Sequence, residues 1–588
     1  MRPHRRSGTG SLHKAPPPMT EPPRRLERLL PFLRWRNALS REALRADLLA
    51  GLSVALVTLP QALAYAQLAG FPAHYGLYAA MLPAVVGALF GSCAQLSTGP
   101  VALTGMLTAA SVAPLATMGS DAYLAFAVTL GLLAGLMQLG LGLLRQGWVL
   151  NLLSQPVFTA FINAAALLIC FSQLPALLGA SGPRAPQLID EAARILEALA
   201  APHMATLGMG LGALIALVAL RRLAPRLPGV LVVVVACTAL SAAIGFEAGG
   251  GAVVGALPSL HPSLHVPPLP QWHQLTGLLP AAFVLALVSF LEAASSAKLI
   301  TEKTGDPWNE NQELIGQGLA KLAAASAGTM PTSTSFSRSA LNLANGARTG
   351  VAALVSALTV IVAAFALGPW LHPLPLAVLA AIILDAVGRL FKPAALVRVW
   401  RIDPDDGLAA SATFVATLAF APNIQNGILT GLLLSLALLI WRSMKPRIAL
   451  LGLHEDGTHR DLERFGLPHP HPHLVVLRFD GPLHFVNAAR FREAVNWART
   501  AQPDVRVVLI SAAGINAIDA TGLDALRKEA ASLAAHGQQL AFCGLKKQVV
   551  DVLERDRLWA EIAPHAVYRH ERQAIDALAP LADPPENL

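Results

Sequence analysis

From Asp47 to Trp441 the chain is a succession of apolar runs broken by Gly, Pro and short polar loops. A helix that spans a bilayer needs about 20 apolar residues. Runs of that kind are predicted near 47–67, 74–91, 99–116, 121–145, 152–175, 203–222 and 228–247. A second set is predicted near 277–300, 308–328, 336–347, 349–369, 374–393, 406–423 and 425–442. Gly- and Pro-rich sequence at 248–276 separates the two sets. In each set the third run is short and is preceded by Gly, Pro, Ser or Thr: "LSTGPVALTGML" from Leu96 and "PTSTSFSRSALN" from Pro331. Interrupted segments at matching places in two halves point to an inverted-repeat transporter. Seven segments per half is an odd number, so the second half enters the membrane inverted.

Beyond Trp441 the pattern changes. Charges and histidines return, and "HLVVLRF", "VRVVLISA" and "QQLAFCGL" read as strands. Between and after them "AARFREAVNWART", "ATGLDALRKEAASLAAHG" and "KKQVVDVLERDRL" read as amphipathic helices. Alternating strands and helices predict a small α/β unit. The expected division is a basic N-terminal segment at 1–46, a transmembrane domain at 47–443, a linker at 444–473, the α/β unit at 474–580 and a tail at 581–588.

Composition supports this. Hydrophobic residues make up 54% and charged residues 14% of the chain, against about 25% charged in soluble proteins. The net charge of +8 matters less than its distribution. Arg2, Arg5, Arg6, Arg24, Arg25, Arg28, Arg34, Arg36, Arg41 and Arg45 crowd the first segment, which reads as a cytoplasmic tail under the positive-inside rule. No apolar stretch with a small-residue cleavage site follows, so a signal peptide is not expected there, and next to a membrane domain a nucleic-acid partner is not expected either. Cys93, Cys170, Cys237 and Cys543 are scattered and form no disulfide or metal pattern. "PHPHPH" from Pro468 reads as a spacer, since no second ligand cluster accompanies it. No P-loop, catalytic triad or metal-ligand set appears, so ATP-driven transport and enzymatic activity are not expected, and no cofactor or metal is called for.

Candidate chemistry lies in the broken runs. Read as half-helices, they aim two N-termini, each with free N–H donors and partial positive charge, at one cavity. Ser335, Ser337 and Arg338 stand at the start of the second. Six hydroxyl residues share that stretch with Arg338, whose planar fork suits oxyanions. The competing reading, a loop at the membrane surface, does not fit the apolar flanks, and intramembrane charge is functional by default. Glu292 is the only acid between Ala281 and Leu299. An intramembrane carboxylate is a candidate proton carrier; the alternative is pairing with Lys298 or Lys303, but Lys298 is six residues away and off the face. Gln61 and Tyr65 share a helix face in the first half. They offer donors to a substrate, or simply pack beside Pro60.

These segments resemble the SulP family of sulfate permeases and related anion transporters. "PQALAYAQLAGFPAHYGLYAAMLPAVVGALFG" with "STGPVALTG" is similar to its N-terminal signature, and "NQELIGQGLAKLAAASAGTMPTSTSFSRSALNLANGART" to its second-half signature. The C-terminal unit resembles a STAS domain. The resemblance implies about fourteen segments in two inverted seven-helix repeats, divided between a moving core and a gate, with a cytoplasmic α/β STAS domain. It implies a multi-pass protein of the inner membrane, commonly a homodimer, with its N-terminus in the cytoplasm and a possible cytoplasmic partner for STAS. In plant-type members a glutamate of the eighth segment is assigned to proton coupling and the SFSR arginine to sulfate binding; Glu292 and Arg338 stand at those positions. Gln61, Tyr65, Ala102 and Ser337 fall where the substrate site is lined. Sodium-coupled bicarbonate members carry an aspartate in the region of Glu292. The STAS loop "AIDATGLDAL" departs from its relatives, with Ala520 where sigma-factor antagonists have a phosphorylatable residue and Thr521 next. The expected activity is proton–sulfate symport. Bicarbonate or dicarboxylate transport, exchange, a passive channel, and a membrane-anchored signalling role for STAS are the alternatives.

Overall fold

The protein is described by a computed structural model, for residues 30–180, 188–224, 227–255, 272–367, 369–562 and 567–582. Most of the basic N-terminal segment, the middle of the 248–276 separator and all but the start of the C-terminal tail lie outside the described residues. Contacts divide the chain into two compact units, one ending at Leu433 and the other beginning at Leu434.

The first unit is helical. Its first half contains α1 (Arg41–Leu68), α2 (Leu82–Phe90), β1 (Thr98–Gly99), α3 (Ala102–Val112), α4 (Asp121–Leu143), α5 (Gln155–Leu178), α6 (Met204–Leu223) and α7 (Gly229–Ile244). The second contains α8 (Trp272–Thr304), α9 (Glu310–Ser326), β2 (Ser333–Thr334), α10 (Phe336–Ala344), α11 (Val351–Leu367), α12 (Leu376–Gly388), α13 (Pro404–Ala419) and α14 (Gln425–Met444). The unit boundary falls inside α14. By length and composition α1, α4, α5, α6, α14 and the Thr276–Thr304 part of α8 can each cross a membrane. Helix starts carry the caps their sequences announce: Ser40, Ser120, Ser154 and Asn309 each accept a hydrogen bond from the first turn. Two amphipathic helices, Leu188–Ala200 and Pro393–Ile402, were not among the apolar runs.

Packing sorts these helices into two groups. In one, α9 packs on α4 and α2, α11 on α1, and α8 on α4 and α3. In the other, α13 and α12 pack on α5, and α6 packs on α12 and α7. Small residues allow the closest approach. A Cβ on Gly135 of α4 would stand 3.0 Å from both the Gly318 carbonyl oxygen and the Lys321 Cβ of α9, the kind of contact that holds helices together where lipid gives no hydrophobic drive. The two broken runs meet at β1 and β2, which pair antiparallel, Thr98 opposite Thr334 and Gly99 opposite Ser333. Antiparallel pairing is what an inverted second half requires.

The second unit holds a six-stranded sheet in the order β4-β3-β5-β6-β7-β8: β3 (Arg447–Leu453), β4 (His459–Asp461), β5 (Leu474–Asp480), β6 (Val507–Ser511), β7 (Gln539–Cys543) and β8 (Val567–Tyr568). The last four are parallel, while β3 is antiparallel to β4 and β5. Residues 444–473, expected as a linker, therefore supply two strands of the sheet. "RIALLGL" alternates its faces and buries Ala449, Leu450 and Leu451. On one face α15 (Ala488–Thr500), α16 (Ala520–Ala535) and α17 (Lys547–Arg555) cover a core containing Phe479, Phe491 and Phe542. On the other, α18 (Glu571–Ala582) buries Ala574, Leu578 and Ala582. Asp519 caps α16, accepting from the Gly522 N–H at 2.8 Å, while Thr521 is exposed in the first turn.

Candidate functional site: the junction of the two half-helices

Neither half-helix begins on its own strand's terms. Leu96 to Val101 and Thr332 to Ser335 are extended because Gly99, Pro100 and the hydroxyl residues favour that backbone over helix. The two extended stretches satisfy one another. The Ser335 N–H donates to the Ser97 carbonyl at 2.9 Å, the Ser97 N–H to Ser339 Oγ at 2.9 Å, and Asn342 Nδ2 to the Gln95 carbonyl at 3.0 Å. Ser335 caps α10, its Oγ 3.4 Å from the Arg338 N–H. Both helix starts, Ala102 of α3 and Phe336 of α10, are thereby fixed beside one junction.

Arg338 closes it. Its side chain, 1% exposed, reaches from the second half into the first. Nε donates to Ser97 Oγ at 3.3 Å, and Nη1 donates to the Pro100 carbonyl at 3.0 Å and to Gln61 Oε1 at 3.5 Å. Nη2 has no hydrogen-bond partner among the described residues. Gly99 lies against it: a Cβ there would stand 3.2 Å from Nη2. A buried guanidinium with one edge spent on the scaffold and one nitrogen unspent presents donors to an anion. The hydroxyls of Thr332 and Thr334 are likewise buried without partners.

Glu292 is brought to the same junction from α8. Its Oε2 accepts from Ser333 Oγ at 2.7 Å, and Ser333 stands opposite Gly99 in the strand pair. Lys298, the alternative partner, lies instead over the Trp308 ring, with Nζ 6.0 Å from its centroid. Of the other expected residues, Gln61 and Tyr65 are buried in α1, Ala102 is the buried first residue of α3, and Ser337 is exposed on α10. Gln61 and Ser337 line a cavity of about 180 Å³ with Leu217, Arg221, Asp385 and Arg389. Water takes about 30 Å³ per molecule, so the space suits a small anion and a few waters. At its other end Arg221 donates to Asp385 at 2.6 Å, and Arg389 lies 3.5 Å from the same carboxylate. The three carry a net positive charge.

Five charged groups here, Glu313, Lys321, Asp385, Arg221 and Arg389, escaped sequence reasoning as site elements. Glu313 of α9 accepts from the Ser92 and Cys93 N–H groups at 2.8 and 3.2 Å and from Gln317, which also donates to Thr98 of β1 at 3.1 Å. Lys321 lies fully buried two turns on, donating to Gln138 Oε1 of α4 at 3.0 Å. Asp385 belongs to the cavity wall. Glu313 and Lys321 were legible only as parts of the "NQELIGQGLAK" signature, with no role attached. Among the described residues no cluster of three or more His, Cys, Asp or Glu is placed to hold a metal.

Comparison with known proteins agrees with this architecture. Residues 44–413 match the model of the sulfate permease family, and residues 468–574 that of the STAS domain. A probable sulfate transporter of Mycobacterium tuberculosis is 34% identical over 541 residues, covering 91% of this chain and 96% of the relative. Sulfate transporter 4.1, chloroplastic, of Arabidopsis thaliana is 28% identical over 542 residues, covering 89% of this chain and 78% of its own. The solved structure of SLC26A9 superposes with a TM-score of 0.87 at 22% identity, over 94% of this chain and 93% of that one, which shows a shared fold. The chain is a polytopic membrane transporter with a C-terminal STAS domain, not an enzyme, and it belongs to the sulfate permease family.

Proposed function

We propose that this protein carries sulfate together with a proton across the inner membrane. The observation that carries this reading is Arg338, buried at the meeting point of two half-helix N-termini, with Nη2 unpartnered among the described residues and the Glu292 carboxylate of α8 bonded to Ser333 of the adjoining strand. Helix N-termini and a guanidinium replace the hydration shell of an anion. Gln61, Tyr65, Ala102 and Ser337 shape the site around it, and Thr332 and Thr334 offer hydroxyl donors.

Glu292 supplies the coupling. Ionised, it draws on the same positive field that the anion needs; protonated, it releases that field. A dianion then binds, and the loaded site crosses at lower electrostatic cost. The helices that carry the junction, α1–α4 and α8–α11, act as the moving core. The group α5–α7 with α12 and α13 acts as the gate, since the cavity lies between Gln61 and Ser337 on one side and Arg221, Asp385 and Arg389 on the other. The N-terminus and STAS face the cytoplasm in this reading, the protein works as a homodimer, and STAS is open to a cytoplasmic partner.

Labelled sulfate uptake into proteoliposomes, with and without an inward proton gradient, tests this for wild type and Glu292→Gln. Gradient-driven accumulation in wild type that is lost in the variant supports it. No sulfate entry under either condition overturns the substrate assignment and turns attention to bicarbonate and dicarboxylates. Entry indifferent to the gradient removes Glu292 from coupling.

A further inference from the structure

Lys321 is a full-length cation with 0% exposure in the middle of the core, and the mechanism above does not use it. An ammonium has three donors. Here Nζ has one hydrogen-bond acceptor, Gln138 Oε1, and no carboxylate within salt-bridge distance among the described residues. The site is built to hold it. The lysine stem lies on Gly135, and Gln138 is itself fixed by donating Nε2 to the Ala286 carbonyl at 2.7 Å and to Ser289 Oγ at 3.0 Å. Ser289 is one turn before Glu292 on α8. The Ser333 hydroxyl, bonded to Glu292 Oε2 at 2.7 Å, also lies 3.1 Å from the Ser289 carbonyl. Ser289 thus stands between the two charges: its hydroxyl faces Gln138, which holds Lys321, and its backbone carbonyl faces the Ser333 hydroxyl that holds Glu292.

The surrounding charges are few. Of the elements packed against α9, α2, β2 and the Gly147–Leu152 turn carry no titratable group, α4 carries Asp121 and Tyr123 at its far end, and the second half of α8 carries Glu292, Lys298, Glu302 and Lys303. Glu313 on α9 itself is engaged by Ser92, Cys93 and Gln317. Glu292 is the charged group whose field reaches Lys321, and Lys321, Arg338 and Tyr65 are in electrostatic reach of Glu292 or of one another.

We propose that Lys321 is the buried countercharge that sets the valence of the transported anion: Lys321 and Arg338 together, not Arg338 alone, match a dianion once Glu292 is protonated. This rests on the proton–sulfate reading and deepens it. Counting the three groups coupled around Glu292, and leaving aside Glu313, which Ser92, Cys93 and Gln317 hold, Lys321, Arg338 and ionised Glu292 sum to one positive, which a monoanion neutralises. Protonation of Glu292 raises the sum to two, which a dianion neutralises. The anion's valence and the proton are then linked by charge balance: a dianion needs the proton and a monoanion does not. Replacing Lys321 by a neutral residue moves the balance down by one, so the protonated site suits a monoanion and a bound dianion leaves it negative. Lys321 touches no substrate in this account; it is a positioning charge.

The test compares sulfate uptake and its inhibition by nitrate in proteoliposomes containing wild type, Lys321→Met, Lys321→Gln and Lys321→Arg, across pH. Lys321→Gln keeps an amide donor for Gln138 should the methionine variant fail to fold. The expected result is a rise of about ten-fold or more in sulfate KM for the neutral variants, equivalent to about 1.4 kcal/mol. Nitrate should gain potency in them, and Lys321→Arg should restore the wild-type ratio. Neutral variants that elute as wild type does and keep its sulfate KM, nitrate sensitivity and pH profile would overturn the proposal. So would equal losses for both anions that arginine does not rescue, which mark a purely structural lysine. Wild type that moves no sulfate sinks the underlying reading first, and this inference with it.

Discussion

Gly99→Ala isolates the free edge of Arg338. The added methyl would lie 3.2 Å from Nη2, 3.8 Å from the Ala79 carbonyl oxygen and 3.8 Å from Ala80 Cα. Only the contact to Nη2 is tighter than ordinary van der Waals separation, and the guanidinium relieves it by moving a few tenths of an ångström. Gly99 is not in the left-handed backbone region, so alanine meets no conformational strain there. The fold should be preserved, with a change in stability below about 1 kcal/mol. The binding cost is different in kind. The methyl occupies the approach to the one guanidinium nitrogen that the scaffold leaves unspent. A hydrogen bond to a charged group contributes about 1.5–3 kcal/mol, which corresponds to a rise of about ten- to a hundred-fold in KM. Uptake kinetics in proteoliposomes, with the melting temperature of the purified protein measured alongside, separate the two effects. A sulfate KM indistinguishable from wild type, in a protein that melts normally, would refute the placement of the anion on Nη2.

Three further outcomes follow from particular contacts. Asp47, fully buried at the start of α1, accepts from the Arg348 and Thr349 N–H groups at 2.7 and 3.1 Å and from the Thr349 hydroxyl at 2.5 Å. Asp47→Ala strands those donors and should destabilise the transport unit by about 2–4 kcal/mol, read as a lower melting temperature. Burial, reinforced by the Glu571 charge, pushes the Cys543 thiol up to about 12, so maleimide at neutral pH should label Cys543 only after denaturation, as mass spectrometry of the digested protein would show. Asp519 is pushed up by partial burial, but the N–H groups of Gly522 and Phe485 and the nearby His484 outweigh this, and its carboxyl sits below its ordinary range. A depressed folded value stabilises at pH above the unfolded value and is lost as pH falls through the folded one. Asp519→Ala should therefore lower the STAS transition by about 0.5–2 kcal/mol near neutrality. Calorimetry of the full chain should find the difference from wild type shrinking at about pH 3, below the unfolded Asp value of about 3.9.

The sequence made the helical runs legible because lipid imposes one requirement, length of apolar stretch, that needs no tertiary knowledge. The broken runs were legible because Gly, Pro and hydroxyl residues interrupt them at matching places, and Arg338 and Glu292 because each is a lone charge in an apolar context. Lys321 and Glu313 lacked that contrast. Beside Glu310, Asn311, Gln312 and Gln317 they stand out little as single charges, and the run at 308–328 reads only as one more spanning segment. What makes them buried is a partner far along the chain: Gln138 for Lys321, 183 residues away, and Ser92 for Glu313, 221 away. Asp385 and Arg221 meet across 164 residues for the same reason. Strand β3 was hidden by its neighbourhood, since "RIALLGL" follows directly on apolar α14 and its pairing with β5 crosses a His- and Pro-rich stretch. Local pattern carries elements and lone charges; it does not carry polar partnerships fixed by tertiary contact.

The central claim is that one site binds the anion and the proton together. The most direct test imposes a sulfate gradient alone, inward, on proteoliposomes of the wild-type protein with a pH-sensitive dye inside and the membrane potential clamped. The account predicts that the lumen acidifies as sulfate enters, and that Arg338→Met abolishes both movements. Sulfate entry with no movement of protons would contradict it.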